Sequence, residues 1–124
     1  MQKILFVGIG GFIGAVARYT ITSNTQKLIT SQLPYGTLLV NVLGGFLIGV
    51  IMELSLNTNM SPNLKLLLTT GILGGLTTFS TFSHETISLF YSGNYLYGFL
   101  NVVLNLVLSF VGVVIGKELI SFIY

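Results

Sequence analysis

The sequence predicts an all-α membrane protein, and three observations carry that expectation: four apolar segments long enough to cross a bilayer, very little charge, and a third segment whose middle disfavours a continuous helix. Hydrophobic residues fill 52% of the 124 positions and charged residues 6%, with a mean hydropathy of +0.91. A soluble domain averages about 25% charged residues, so water is not the main solvent of this chain. The length fits a single four-helix domain over residues 1–124. Five Lys and Arg against three Asp and Glu leave a net charge of +2, but the cations are scattered and form no patch, which argues against nucleic acid as a partner. There is no cysteine, hence no disulfide and no thiolate site.

The first segment runs from about Ile4 to Thr22. Its opening, KILFVGIGGFIG, imitates a strand feeding a dinucleotide-binding loop. The fingerprint begun by Gly8 and Gly10 needs glycine where Ile13 stands, however, and the acidic residue due about 20 positions later is absent. A cleavable leader, with Lys3, an apolar core and Ala15-Val16-Ala17 as its cut site, is the other reading; it would leave three spans and discard a glycine face. Arg18 and Tyr19 close the segment as residues suited to a membrane interface. A polar loop from Ser23 to Pro34 leads to the second segment, about Gly36 to Leu54, which carries Asn41 with Thr37 one turn earlier on the same face. A buried amide needs hydrogen-bond partners. Glu53 marks the far interface, and the loop from Asn57 to Asn63 contains Pro62, suited to starting a helix.

The third segment, Leu64 to Tyr91, has 28 residues, more than the ~20 that cross ~30 Å of hydrocarbon at 1.5 Å per residue. Gly74 and Gly75 adjoin in its middle, and Thr77, Thr78, Ser80 and Thr81 follow; all lower helix preference or compete for backbone hydrogen bonds. The expectation is a helix broken near the membrane midplane, one half ending near Gly74 and the other starting near Phe79. Peptide groups freed by the break are costly in lipid, so they must be buried in protein or line an aqueous or ionic path. The first half would end in carbonyls suited to a small hard cation, and the second would begin with N–H groups suited to an anion. Phe79 and Phe82 stand at that second end among Ser80, Thr81 and Ser83. A phenyl ring is electropositive at its edge, so two ring edges can favour an anion; the plainer alternative makes both phenylalanines packing residues.

Ser92, Gly93 and Asn94 form the last loop, and the fourth segment runs from about Tyr95 to Ile123. Asn101, Asn105 and Ser109 recur along it every four residues as one narrow polar stripe. The stripe and Asn41 fit interhelical hydrogen bonding and the lining of a polar path equally well. Each segment also holds two glycines four apart: Gly10 and Gly14, Gly45 and Gly49, Gly71 and Gly75, Gly112 and Gly116. Such spacing lets helix backbones approach closely, without saying which faces meet. With four spans, Lys3, Lys65 and Lys117 fall on one side and Arg18 and Lys27 on the other, almost no bias for the positive-inside rule to act on. The chain can therefore insert either way up, and two copies of opposite orientation would pair about a twofold axis in the membrane plane. Four helices are few to enclose a pore, which also points to an oligomer.

Three stretches in order, GGFIGAVARY from Gly10 to Tyr19, GTLLVN from Gly36 to Asn41 and GGLTTFSTFS from Gly74 to Ser83, strongly resemble the CrcB/Fluc fluoride channels, and the likeness covers the whole chain. The resemblance implies an antiparallel, dual-topology dimer of four-helix subunits in the cell (plasma) membrane, either a homodimer or a dimer with a paralogue. Its partners would be membrane lipid and the fluoride ion, which two pores export passively, lowering cytoplasmic fluoride. By matching positions, Phe79 and Phe82 are similar to the pore phenylalanines, Asn41 to the amide donor beside them, and Ser80 and Thr81 to hydroxyls of the polar track. Arg18 matches the vestibule arginine, with interfacial snorkelling as its alternative. Gly74 and Thr77 match the residues whose backbone carbonyls, from both subunits, hold a structural sodium ion (Na+) at the dimer centre. The fourth-helix track of the family often includes tyrosine and serine; here Asn101, Asn105 and Ser109 form the stripe, a departure from that pattern, and Asn105 and Ser109 are assigned to the pathway.

Two other readings bear on the same residues. A small four-helix proton-coupled multidrug exporter has similar length and dual topology, but it needs a membrane-embedded carboxylate in the first helix, which has neither Asp nor Glu. An intramembrane hydrolase would use Ser80 with His84 one turn away beside Glu85, yet a triad needs converging side chains and an oxyanion site, not sequence neighbours. His84 and Glu85 are expected as polar residues of a vestibule or interface. The protein is thus expected not to be an enzyme.

Overall fold

A computed structural model describes all 124 residues, and four of its helical stretches are long and apolar enough to cross a membrane. The first is α1 (Gln2–Leu28) and the second α2 (Tyr35–Asn57). The third crossing comes in pieces: α3 (Pro62–Leu66), a π-helical stretch (Leu67–Leu73), α4 (Gly74–Leu76) and, after two non-helical residues, α5 (Phe79–Tyr91). The last is α6 (Tyr95–Ile123), and the chain contains no strand.

Local chemistry sets most of these limits. Ser61 accepts the Leu64 N–H at 3.2 Å and Pro62 occupies the first turn, so α3 starts where the cap and the proline agree. Between α5 and α6, Gly93 adopts φ +82°, and the Asn94 N–H returns to the Leu89 carbonyl at 2.9 Å, closing the helix in the manner only a left-handed residue allows. Helix α1 runs six residues past the expected Thr22. The hydroxyls of Thr20, Thr22 and Thr25 bond back to the carbonyls of Val16, Arg18 and Ile21, so residues that disfavour helix are satisfied inside one.

The glycine pairs meet in two seams. Gly10 and Gly14 of α1 lie against the backbone of the third crossing at Gly71, Ile72 and Leu76, and a Cβ on Gly75 would stand 2.6 Å from the Gly11 carbonyl. Gly45 and Gly49 of α2 lie against Ser109 and Val113 of α6, where Gly112 and Gly116 answer on the backbone of Val42 and Phe46. The α2–α6 pair is the most extensive contact between two continuous helices. Val40, Leu73 and Leu76 form a small buried core against Ala17, Ile21 and Leu47, while Phe12, Val16, Phe110 and Val114 point outward, as side chains solvated by lipid tails do.

Candidate functional site

The third crossing is interrupted at Thr77 and Thr78, both extended (ψ 156° and φ −150°, ψ 120°). Its first half ends at Leu76, two residues beyond the expected Gly74, and the second begins at Phe79 as expected. In a continuous helix the Thr78 N–H would bond the Gly74 carbonyl. Here it donates to Asn41 Oδ1 at 2.9 Å, and Asn41 Nδ2 donates to the Thr78 carbonyl at 3.2 Å, so one side-chain amide splints both peptide groups of the break. The second Nδ2 bond, 2.9 Å to Asn105 Oδ1, spans α2 and α6. Thr37 is not the partner its spacing suggested; it donates to Glu85 Oε1 at 2.7 Å.

Thr78 also caps α5. Its hydroxyl accepts the Thr81 N–H at 3.2 Å and lies 3.1 Å from the Thr81 hydroxyl and 3.4 Å from that of Ser80. The Ser80 hydroxyl therefore faces Thr78 and not His84, which leaves no Ser-His pair for hydrolysis. The cap leaves the Phe79 and Ser80 N–H groups at the positive end of a thirteen-residue helix. Phe79 and Phe82 sit there with ring centroids 5.4 Å apart and planes tilted by 57°. Phe82 is buried (7% exposed), whereas Phe79 is 75% exposed on the single chain.

Two cavities flank the break. The larger, about 450 Å³, is lined by Phe79 and Phe82 with Asn41, Asn105, Ser109 and the backbone around Gly74 and Thr77. The smaller, about 270 Å³, is lined by Arg18, Gln26, Thr37, Thr81 and Glu85. Thr78 lines both. Arg18 points into the break, its Nη1 donating to the Thr77 carbonyl at 3.2 Å, so it does more than snorkel. Glu85 is half-buried with its Oε2 unpartnered, and His84 is exposed at a separate hollow beside Gln32 and Ser88.

The structure thus brings Phe79, Phe82, Asn41, Ser80, Thr81, Arg18, Asn105 and Ser109 to the two sides of one interruption. Sequence reasoning passed over Thr78 as a mere helix breaker. A threonine directly before the helix start, with Thr81 three positions on, is an N-cap signal that would have found it.

Residues 5–117 match the family model described as CrcB-like protein, Camphor Resistance (CrcB). Proteins named fluoride-specific ion channel FluC are similar over the full length: 53% identical in Clostridium novyi and 52% in Clostridium perfringens, each over all of both chains. The protein of that name in Shewanella woodyi is 51% identical over 97% of each chain.

Proposed function

The chain belongs to the CrcB family, and from that premise we infer that it is a fluoride channel, conducting the ion passively through a membrane along the broken third crossing. The observation that carries this reading is the paired Phe79 and Phe82 at the open end of α5, surrounded by hydroxyls. Fluoride is small and strongly hydrated, so a selective pore must replace water with weak donors in a narrow space. A wide basic channel would pass chloride as well. Ring edges, the Ser80, Thr81 and Ser109 hydroxyls and the N–H groups at the start of α5 supply such donors. Asn41 has both amide hydrogens engaged, so it offers one to the anion only by releasing Thr78 or Asn105. Arg18 and the smaller cavity make a polar antechamber on the other side of Thr78.

A second copy of opposite orientation, homodimeric or paralogous, would cover the larger cavity and the exposed Phe79, giving two alike pores in the plasma membrane that lower cytoplasmic fluoride. Sodium fits the same assembly. The Gly74 carbonyl loses its helical partner at the break, Gly74 is exposed, and a Cβ there would meet nothing closer than 3.8 Å. The Thr77 carbonyl keeps one lone pair beyond its bond from Arg18. Neutral carbonyls from Gly74 and Thr77 of two subunits would suit a hard monovalent cation, whose charge would offset repulsion between passing anions. The proton-coupled exporter finds no support, since α1 holds no carboxylate and the relatives are named as ion channels. The test is electrogenic efflux from liposomes loaded with fluoride beside chloride-loaded controls: fast fluoride and negligible chloride release is expected, and equal release of both, or proton-coupled substrate movement, refutes the reading.

A further inference from the structure

Two buried polar residues have no part in the pathway just described, and both belong to one hydrogen-bond chain. Asn101 is 0% exposed and Thr86 6%, and neither lines either cavity. Beginning at the break, the Thr78 N–H donates to Asn41 Oδ1, and Asn41 Nδ2 to Asn105 Oδ1. Asn105 Nδ2 donates to Asn101 Oδ1 at 3.0 Å and also to the Asn101 carbonyl at 2.9 Å; Asn101 Nδ2 donates to Thr86 Oγ1 at 2.9 Å, and Thr86 Oγ1 to the Phe82 carbonyl at 2.8 Å. The direction is fixed by chemistry at both ends. A backbone N–H can only donate and a carbonyl can only accept, so turning any one amide over would set donor against donor. Aligned dipoles in such a chain strengthen one another. It starts at Thr78, the residue before α5, passes through α2 and α6, and enters α5 at Thr86, whose hydroxyl ends it on the Phe82 carbonyl one turn back.

We propose that Asn101 and Thr86 are positioning residues of the ion path: through this directed chain they hold the Asn41 amide on the break and fix Phe82 relative to it. The narrow polar stripe of α6 then acts by aiming another amide, and its deepest member does not meet the ion. Because Thr86 lies between Asn101 and Phe82, its hydroxyl sets how firmly the far end is held.

The inference rests on the fluoride-channel reading and is tested with the full-length protein in liposomes. Thr86→Val is isosteric and removes the last two links. It should slow fluoride efflux roughly three- to tenfold, the scale of one buried hydrogen bond, and shift the side-chain amide resonances of Asn41 and Asn105. Thr86→Ser keeps the hydroxyl and should restore both. Wild-type flux and unmoved amide resonances in Thr86→Val overturn the proposal. A purely structural role is separated by Asn101→Leu with Thr86→Val, which replaces both partners of the Asn101–Thr86 bond with apolar groups, leaves Asn105 Nδ2 its bond to the backbone carbonyl at 101, and should recover part of the thermal stability. Flux that stays low while stability returns supports positioning, and flux that returns with stability refutes it. Should that pair fail to fold, the Val and Ser variants of Thr86 decide alone. If the wild-type protein carries no fluoride, the channel reading fails separately, and the amide resonances still report on the chain.

Discussion

The α1 seam and the α2–α6 seam use the same device to opposite ends. In both, glycines four apart let two backbones touch. Between α2 and α6 the result is a pair of uninterrupted rods, with no break in the helix between their ends. Against α1, the partner is the first half of the third crossing, which widens into a π-helix and then stops at Leu76. Close glycine packing therefore does not decide whether a helix continues. It supplies a rigid wall, and the break survives next to it because Asn41, Arg18 and the Thr78 hydroxyl take over the bonds that helix geometry gives up. One seam is frame, and the other carries the working edge.

That contrast can be broken most severely in the frame. Gly116→Val would drive a side chain into the Phe46 carbonyl, and with nowhere for backbone to move the expected cost is about 3 kcal/mol or more, read as loss of folded protein in thermal unfolding. Asn41→Asp acts on the working edge instead. It keeps an acceptor for the Thr78 N–H but removes both donors and puts a like charge beside the anion, so efflux should fall by roughly two orders of magnitude; unaltered flux would mean that Asn41 faces away from the path. Phe82→Ile should lower flux about tenfold while the protein still assembles. Loss of assembly in size-exclusion chromatography would recast Phe82 as a packing residue. The smallest effect sharpens the comparison within α1 itself. A Cβ at Gly11 meets nothing within 4 Å, so Gly11→Ala should raise stability by about 0.5–1 kcal/mol, whereas Gly10→Ala next to it collides with Gly71 and should lower it.

Much of this was legible before any coordinates. The fourth helix has the limits read from the sequence, and the other three were found with only their ends misjudged. The break and the Phe79 start followed from adjoining glycines and β-branched residues. What stayed hidden has a common physical cause. The π-helical turn at Leu67–Leu73 arises beside the point where Gly71 packs on Gly10, a contact no local propensity reports. Asn41 was paired by spacing with Thr37, but its partners lie 37 and 64 positions away. The polar end of α1 reads as loop by composition, yet the helix continues through it to Leu28, with the Thr25 hydroxyl satisfied on the Ile21 carbonyl. Patterns within one turn are written in the chain; the choice among distant partners is made by packing.

Thr78 has a consequence of its own. Thr78 borders both chambers, so its side chain is part of the septum between the polar antechamber and the aromatic compartment. On the proposed path, an anion passing from one chamber to the other would meet that hydroxyl between the polar side chains and the ring edges, so a change at Thr78 would be felt on both sides.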